Sequence, residues 1–268
     1  MKEVVLINGK QQSQLSVFNR LTQFGDGLFE TCVVKNAQLL FWSAHFSRLE
    51  KGRKQLKINR ISEQQWLKDI AKALSIAKLE QAVVKVVLSR GQSMRGYGFE
   101  ADIEPTRLVI VSKMPDKILS EYTLSVCNSG YANHQLLSNI KHCNRLEQIL
   151  ARSDLRADEC IMLNDDGWVI SVTQGNIIAI KAGVLSAPSL EKCGIAGTRR
   201  AVILKIATAL DLQVKVGILT LQALNDCDEI FISNSIIGIK PVTAINEKCF
   251  DQHTITRQLA QALEEKLR

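Results

Sequence analysis

The chain has 268 residues, with 34 Lys and Arg against 27 Asp and Glu, a formal net charge of +7, 46% hydrophobic and 23% charged residues. That is the composition of a globular protein long enough for one large domain or two modest ones. No apolar run approaches the roughly 20 residues of a membrane span, and MKEVVLINGK turns polar too soon for a signal peptide, so a cytoplasmic protein with no membrane partner is expected.

In chain order, VVLING (4–9) reads as a strand ending in a turn at Asn8-Gly9. GLFETCVV (27–34) and QLLFW (38–42) flank Lys35-Asn36-Ala37 as a hairpin. A helix is expected over 44–57, with Ser43 as N-cap and Phe46, Leu49 and Leu56 inward. The next begins at Ser62, with Gln65 completing a capping box and Trp66, Leu67, Ile70, Ala71 and Leu74 as its apolar face. AVVKVVLSR (82–90) and RLVIVSK (107–113) are β-branched strands around the Gly-rich loop GQSMRGYG. The pattern resets near MPDKILSE (114–121), which suggests a small N-terminal α/β domain over 1–116 and a larger C-terminal α/β domain over 117–268.

The second half opens with the strand TLSVCNS (123–129). A helix follows Lys141, with Asn144 as N-cap, Glu147 at N3 and Leu146, Ile149 and Leu150 as its buried stripe. CIMLN and WVISV flank the turn Asp165-Asp166-Gly167, a strong hairpin signal, and NIIAIK follows. Further helices are expected at about 198–210, 220–226 and 253–268. The fold class is α+β, or mixed α/β, in two domains.

The seven cysteines include no CxxC pair and stand with only four histidines. No metal site is expected, and the thiols are read as reduced and mostly buried. Basic residues are spread along the chain and aromatics are only 5%, so no nucleic-acid partner is expected. A basic balance suits a site that takes several anionic groups.

Five segments are candidates for chemistry. Lys141, in NIKHCNRLEQ (139–148), ends an apolar approach just before a helix. A lysine in an apolar pocket has a lowered pKa and forms Schiff bases, although most lysines are solvated surface. GIAGTRR (194–200) opens a helix, where glycines let a ligand approach and the N–H groups of Thr198 and Arg199 point at an anion. FISNSIIG (231–238) adds the Ser235 hydroxyl. Arg48 in HFSRL, and Arg95 and Tyr97 in RGYG, are possible anion and carboxylate binders.

The order FGDGLFET (24–31), HFSRL (45–49), SRG…RGYG (89–98), NIKHCNRLEQ, DDGWV…GN (165–176), GIAGTRR resembles the fold-type IV pyridoxal phosphate (PLP) enzymes over nearly the whole chain. That group has a branched-chain aminotransferase-like fold. Within it, KHCNRLEQ and TQFGDG are most similar to the aminodeoxychorismate lyases. The resemblance implies a cofactor in a cleft between the two domains and a homodimer. Lys141 falls on the lysine that holds PLP covalently and acts as catalytic base. Arg48 falls on the arginine that contacts the phosphate, Thr198 and Arg199 on the phosphate cup, and Ser235 near a hydroxyl that completes it. Arg95, Tyr97 and Arg145 are the candidates for holding substrate carboxylates.

Two positions depart from the family pattern. Asn19 stands where aspartate is common, and Ser171 stands where a glutamate precedes the asparagine matching Asn176. The glutamate keeps the pyridine nitrogen of the cofactor protonated, and a serine is a weaker partner for it. The implied activity is conversion of 4-amino-4-deoxychorismate to 4-aminobenzoate and pyruvate, within folate biosynthesis. Its aromatic product lets it tolerate a weaker electron sink. The alternatives are a D-amino-acid or branched-chain aminotransferase, or a PLP-binding protein with reduced catalysis.

Overall fold

The computed structural model describes residues 3–153 and 155–266. The chain forms two compact units. One comprises the chain up to Asp116 together with Ile140–Asn144, the other Lys117–Asn139 and the chain from Arg145 onward. The pentapeptide bearing Lys141 therefore packs with the N-terminal unit, a correction to its expected place in the C-terminal domain.

The first unit contains β1 (Val4–Ile7), β2 (Lys10–Gln11), α1 (Arg20–Phe24), β3 (Gly27–Lys35), β4 (Gln38–Leu39), α2 (Trp42–Gln55), α3 (Glu63–Ala77), β5 (Ala82–Ser89) and β6 (Thr106–Lys113). Its antiparallel sheet runs β2-β1-β6-β5-β3-β4. The expected turn at Asn8-Gly9 and the expected hairpin at 35–37 both form on two-residue loops with positive φ throughout, Asn8 (49°) with Gly9 (76°) and Asn36 (51°) with Ala37 (59°). Such loops match the twist of the flanking strands. The strand expected to reach residue 42 stops at Leu39, because Phe41 turns left-handed (φ 55°) and caps α2 without a side-chain bond. Ser43 lies inside that helix and is not its cap.

The capping box of Ser62 and Gln65 is present on α3. Trp66, Ile70 and Ala73 are its buried apolar residues, while Leu67 and Ala71, one step round the helix, are exposed. Asn19 caps α1, accepting from Leu21 N at 3.0 Å. Its amide also donates to Thr106 Oγ1 (3.1 Å) and its carbonyl accepts from Ser89 Oγ (2.6 Å). That donated bond gives the amide a function that an ionised carboxylate lacks.

The second unit contains β7 (Tyr122–Val126), α4 (Leu146–Ser153), β8 (Glu159–Leu163), β9 (Val169–Val172), β10 (Asn176–Lys181), β11 (Val184–Pro188), α5 (Thr198–Ala209), β12 (Val214–Gly217), α6 (Leu221–Asn225), β13 (Glu229–Asn234), β14 (Gly238–Ile245), β15 (Lys248–Cys249) and α7 (Thr254–Glu265). Its mixed sheet runs β12-β11-β10-β13-β14-β7-β8-β9, with β15 paired to β14. Apolar runs such as NIIAIK are buried on both faces. Their core joins Leu124, Ile161, Ile177, Ile230, Ile232 and Val242. The helix expected to 268 is described through Glu265; Leu267 and Arg268 lie outside the described residues.

Four expectations about α4 and the thiols are corrected. The helix starts at Leu146, and Asn144 instead donates to Gly25 O (3.1 Å). Glu147 accepts from Ala132 N (3.0 Å), tying down a neighbouring loop. Leu146, Ile149 and Leu150 are exposed at 70%, 60% and 57%, while Gln148 and Ala151 face inward. Periodicity fixes which residues share a face, not which face its own chain covers. Cys127 and Cys160 form a disulfide, with Cα atoms 5.5 Å apart, where reduced thiols were the expectation.

Candidate active site

Lys141 is placed by its backbone. Ile140, fully buried, seats the segment beside Leu28 and Gly52. Phe29 N donates to Lys141 O (2.9 Å) and Cys143 N to Gly27 O (2.9 Å), so that 141–143 pairs antiparallel with the start of β3. Gly27 is required there, since a Cβ would stand 2.6 Å from Leu88 O. The half-buried Lys141 side chain puts Nζ 4.4 Å from the centroid of the Phe29 ring, an attraction for its charged form.

In the same unit, β3 alternates Leu28, Glu30, Cys32 and Val34, all buried. A carboxylate in that apolar row needs partners. It has them on α2: Arg48 Nε donates to Glu30 Oε1 (2.7 Å), Arg48 Nη2 to Oε2 (2.5 Å), and His45 Nδ1 lies 2.7 Å from Oε2. Burial pushes the Glu30 carboxyl up, but Arg48 and then His45 outweigh it, leaving the pKa below the ordinary glutamate value. Arg48 is thereby fixed by a bidentate fork. Arg95 and Tyr97 sit in the loop between β5 and β6, both exposed.

In the second unit, α5 begins at Thr198 behind Gly197, whose backbone caps it with no side-chain bond. A Cβ on Gly197 would lie 1.9 Å from Asn176 Oδ1. Asn176 Nδ2 in turn donates to Ile195 O (3.1 Å), bracing the approach to the helix. Asn234 Oδ1 accepts from Ile236 N (2.8 Å) and Ile237 N (2.9 Å), and this turn brings Ser235 Oγ to 3.5 Å from Thr198 Oγ1. Thr198, Arg199 and Ser235 thus gather at the N-terminus of a twelve-residue helix, a natural seat for a phosphate.

Ser171, buried on β9, donates to Val172 O (2.8 Å) and lies 3.0 Å from the Tyr131 hydroxyl. Burial raises the Tyr131 pKa, against Ser171, Gln148 and the Arg145 charge, so the phenol is neutral at neutral pH. Arg145 precedes α4, and its carbonyl accepts from Ile149 N (3.0 Å). The buried thiols of Cys193 and Cys227, pushed up to about 12 and about 11, are poor nucleophiles. Glu30, His45, Tyr131 and Asn176 were not among the expected site residues. The signal for Glu30 and His45 was a lone acid in the apolar row of β3 and a His–Arg pair three apart on α2.

Residues 27–245 match the amino-transferase class IV family. The chain belongs to that family. It is 31% identical to an aminodeoxychorismate lyase of Vibrio harveyi, over 94% of this chain and 97% of the relative. It is 26% identical to a putative branched-chain-amino-acid aminotransferase of Methanocaldococcus jannaschii, covering 98% and 95%. Among solved structures, 4-amino-4-deoxychorismate lyase from Pseudomonas aeruginosa superposes with a TM-score of 0.93 at 30% identity, covering 98% of this chain and 99% of that one. The fold is that of the fold-type IV enzymes, and the family cofactor is PLP.

Two substitutions test these networks. Glu30→Gln is expected to cost about 3–5 kcal/mol at neutral pH by breaking a buried ion pair. Because the folded Glu30 pKa is depressed, its contribution is present above the ordinary glutamate value of about 4.3 and lost as pH falls through the folded value. Urea midpoints across acid pH are therefore expected to converge for the two proteins. Gly197→Ala drives a methyl into Asn176 and is expected to weaken PLP affinity at least about tenfold, roughly 1.4 kcal/mol, in a fluorescence titration of apo protein. Unchanged affinity would take the phosphate away from this helix.

Proposed function

We propose that this chain is a PLP-dependent lyase that converts 4-amino-4-deoxychorismate to 4-aminobenzoate and pyruvate. The observation that carries this reading is the full-length likeness to aminodeoxychorismate lyases, in sequence and in fold. The chemistry of the residues supports it. A helix start behind a glycine cap that adds no side chain, a glycine with no room for a Cβ and two adjacent hydroxyls suit a phosphate. An amine on a backbone-anchored segment suits an aldehyde.

Bound there, PLP supplies an aldehyde for the substrate amine and a conjugated ring that accepts the electron pair of a broken C–H bond. Lys141 would hold the aldehyde, and Thr198, Arg199, Ser235 and Arg48 would hold the phosphate. The Lys141 amine would serve as the base for the proton on the substrate ring carbon bearing nitrogen. The neighbouring C–O bond breaks, the ring becomes aromatic, and the departing enolate takes a proton to give pyruvate. Arg95, Tyr97 and Arg145 hold the substrate carboxylates.

With its proton given to Val172 O, the Ser171 hydroxyl would act towards the ring nitrogen only as an acceptor, a weaker one than a carboxylate, with Tyr131 beside it. A neutral partner favours the strongly downhill elimination over amino-group transfer. We further propose a homodimer in the cytoplasm. Leu136, Leu146, Ile149 and Leu150, exposed at 57–71%, support a covering second copy, and no described helix is long and apolar enough to cross a membrane. In a reducing cytoplasm Cys127 and Cys160 would stand as neighbouring thiols.

The test is turnover. PLP-loaded protein is expected to form 4-aminobenzoate and pyruvate in equal amounts, with the rate falling at least about a thousandfold in Lys141→Ala. Transfer of an amino group to 2-oxoglutarate, with no 4-aminobenzoate formed, would establish the aminotransferase alternative.

A further inference from the structure

The loop from β5 to β6 is exposed throughout 94–100, yet a buried guanidinium holds its backbone. Arg20 is only 4% exposed. Its Nη1 donates to Ser93 Oγ (2.9 Å), Gly96 O (3.3 Å) and Gly98 O (3.0 Å), and its Nη2 to Tyr97 O (3.0 Å). Its Nε donates to Asp26 Oδ2 (2.8 Å).

Asp26 is shared with Arg90, whose Nε and Nη2 reach it at 2.7 and 3.1 Å. Arg90 also donates to Leu56 O (2.7 Å) and Lys57 O (2.9 Å), and lies 3.8 Å from the Phe99 ring centroid. Burial raises the Asp26 pKa, and the bonds from Arg90 and Arg20 outweigh it, so the carboxylate stays charged. Gln23 Nε2 adds a bond to Ser93 O (3.1 Å), and the Phe24 and Tyr97 rings meet at 5.4 Å.

Ordinary packing would ask only that the base of this loop be closed. Here the bonds run to the carbonyls of the tip itself, on Gly96, Tyr97 and Gly98, beside the exposed side chains of Arg95 and Tyr97. Glycines at 96 and 98 would otherwise leave that tip free to move. We propose that Arg20 is a positioning residue for substrate: by clamping the tip it fixes the directions in which Arg95 and Tyr97 project, and so sets affinity for the substrate carboxylates. This rests on the reading of Arg95 and Tyr97 as carboxylate binders. The gain is preorganisation, since the loop is ordered before substrate arrives. Lysine cannot replace Arg20, because three donors on a point charge do not match a planar fork that serves Asp26 and the tip together.

The test compares wild type, Arg20→Gln and Arg20→Lys, all loaded with PLP. It follows trypsin cleavage after Arg95, steady-state kinetics and the cofactor absorbance. Both variants are expected to be cut after Arg95 at least about tenfold faster and to show KM raised by about tenfold, with kcat within about threefold and the absorbance unchanged. Should either variant fail to fold, Gln23→Ala with Ser93→Ala removes the outer bonds around Ser93 and is expected to move cleavage and KM in the same direction. Cleavage and KM both as in wild type would overturn the proposal. So would a fall in kcat or loss of the cofactor spectrum at unchanged KM. Arg95→Ala separates the two layers. If its KM is unchanged, the reading of Arg95 fails; if its KM rises while that of Arg20→Gln does not, the proposal alone fails.

Discussion

The short pairing of 141–143 with the start of β3 is the constraint on which the site depends. Two backbone hydrogen bonds and the fully buried Ile140 fix where the Lys141 backbone runs. A lysine on a free loop would sample many positions, and a base must lie within hydrogen-bond reach of the proton it takes. Gly27, whose carbonyl takes the Cys143 bond, has no room for a side chain of its own, which would strike Leu88 O on β5. Local geometry, and not an unusual residue, turns one lysine among many into a placed amine.

Buried charge is handled in a consistent way. Glu30 and Asp26 each lie among groups that would raise a lone carboxyl, and each is held ionised by arginine. In both cases the arginine is locked into one orientation by a carboxylate that is itself fixed in the fold. Arg48 and Arg20 therefore present their remaining donors in set directions. At 171 the fold takes another course, pairing two neutral hydroxyls where a carboxylate is the family habit. On the proposed reading, this pair would be a weaker partner for the cofactor's ring nitrogen than a carboxylate.

Much of the fold was legible because short-range chemistry decides it. The Asn8-Gly9 and Asp165-Asp166-Gly167 turns, the Ser62–Gln65 box and the Gly197 helix start follow from residues within a few positions of one another. What was illegible depends on distant chain. Whether Leu146, Ile149 and Leu150 are covered depends on what packs beside α4, and their spacing says nothing about it. That Lys141 joins the N-terminal unit depends on β3, more than a hundred residues earlier. The Tyr131 partner of Ser171 and the Asp26 link between Arg20 and Arg90 likewise join positions that no local pattern connects.

The central claim is that Lys141 is the amine that holds the cofactor. Its most direct test is borohydride reduction of the PLP-loaded protein, followed by peptide mapping by mass spectrometry. The account predicts a pyridoxyl adduct on Lys141 and on no other lysine. An adduct elsewhere, or none on a protein that retains the cofactor's absorbance, would contradict it.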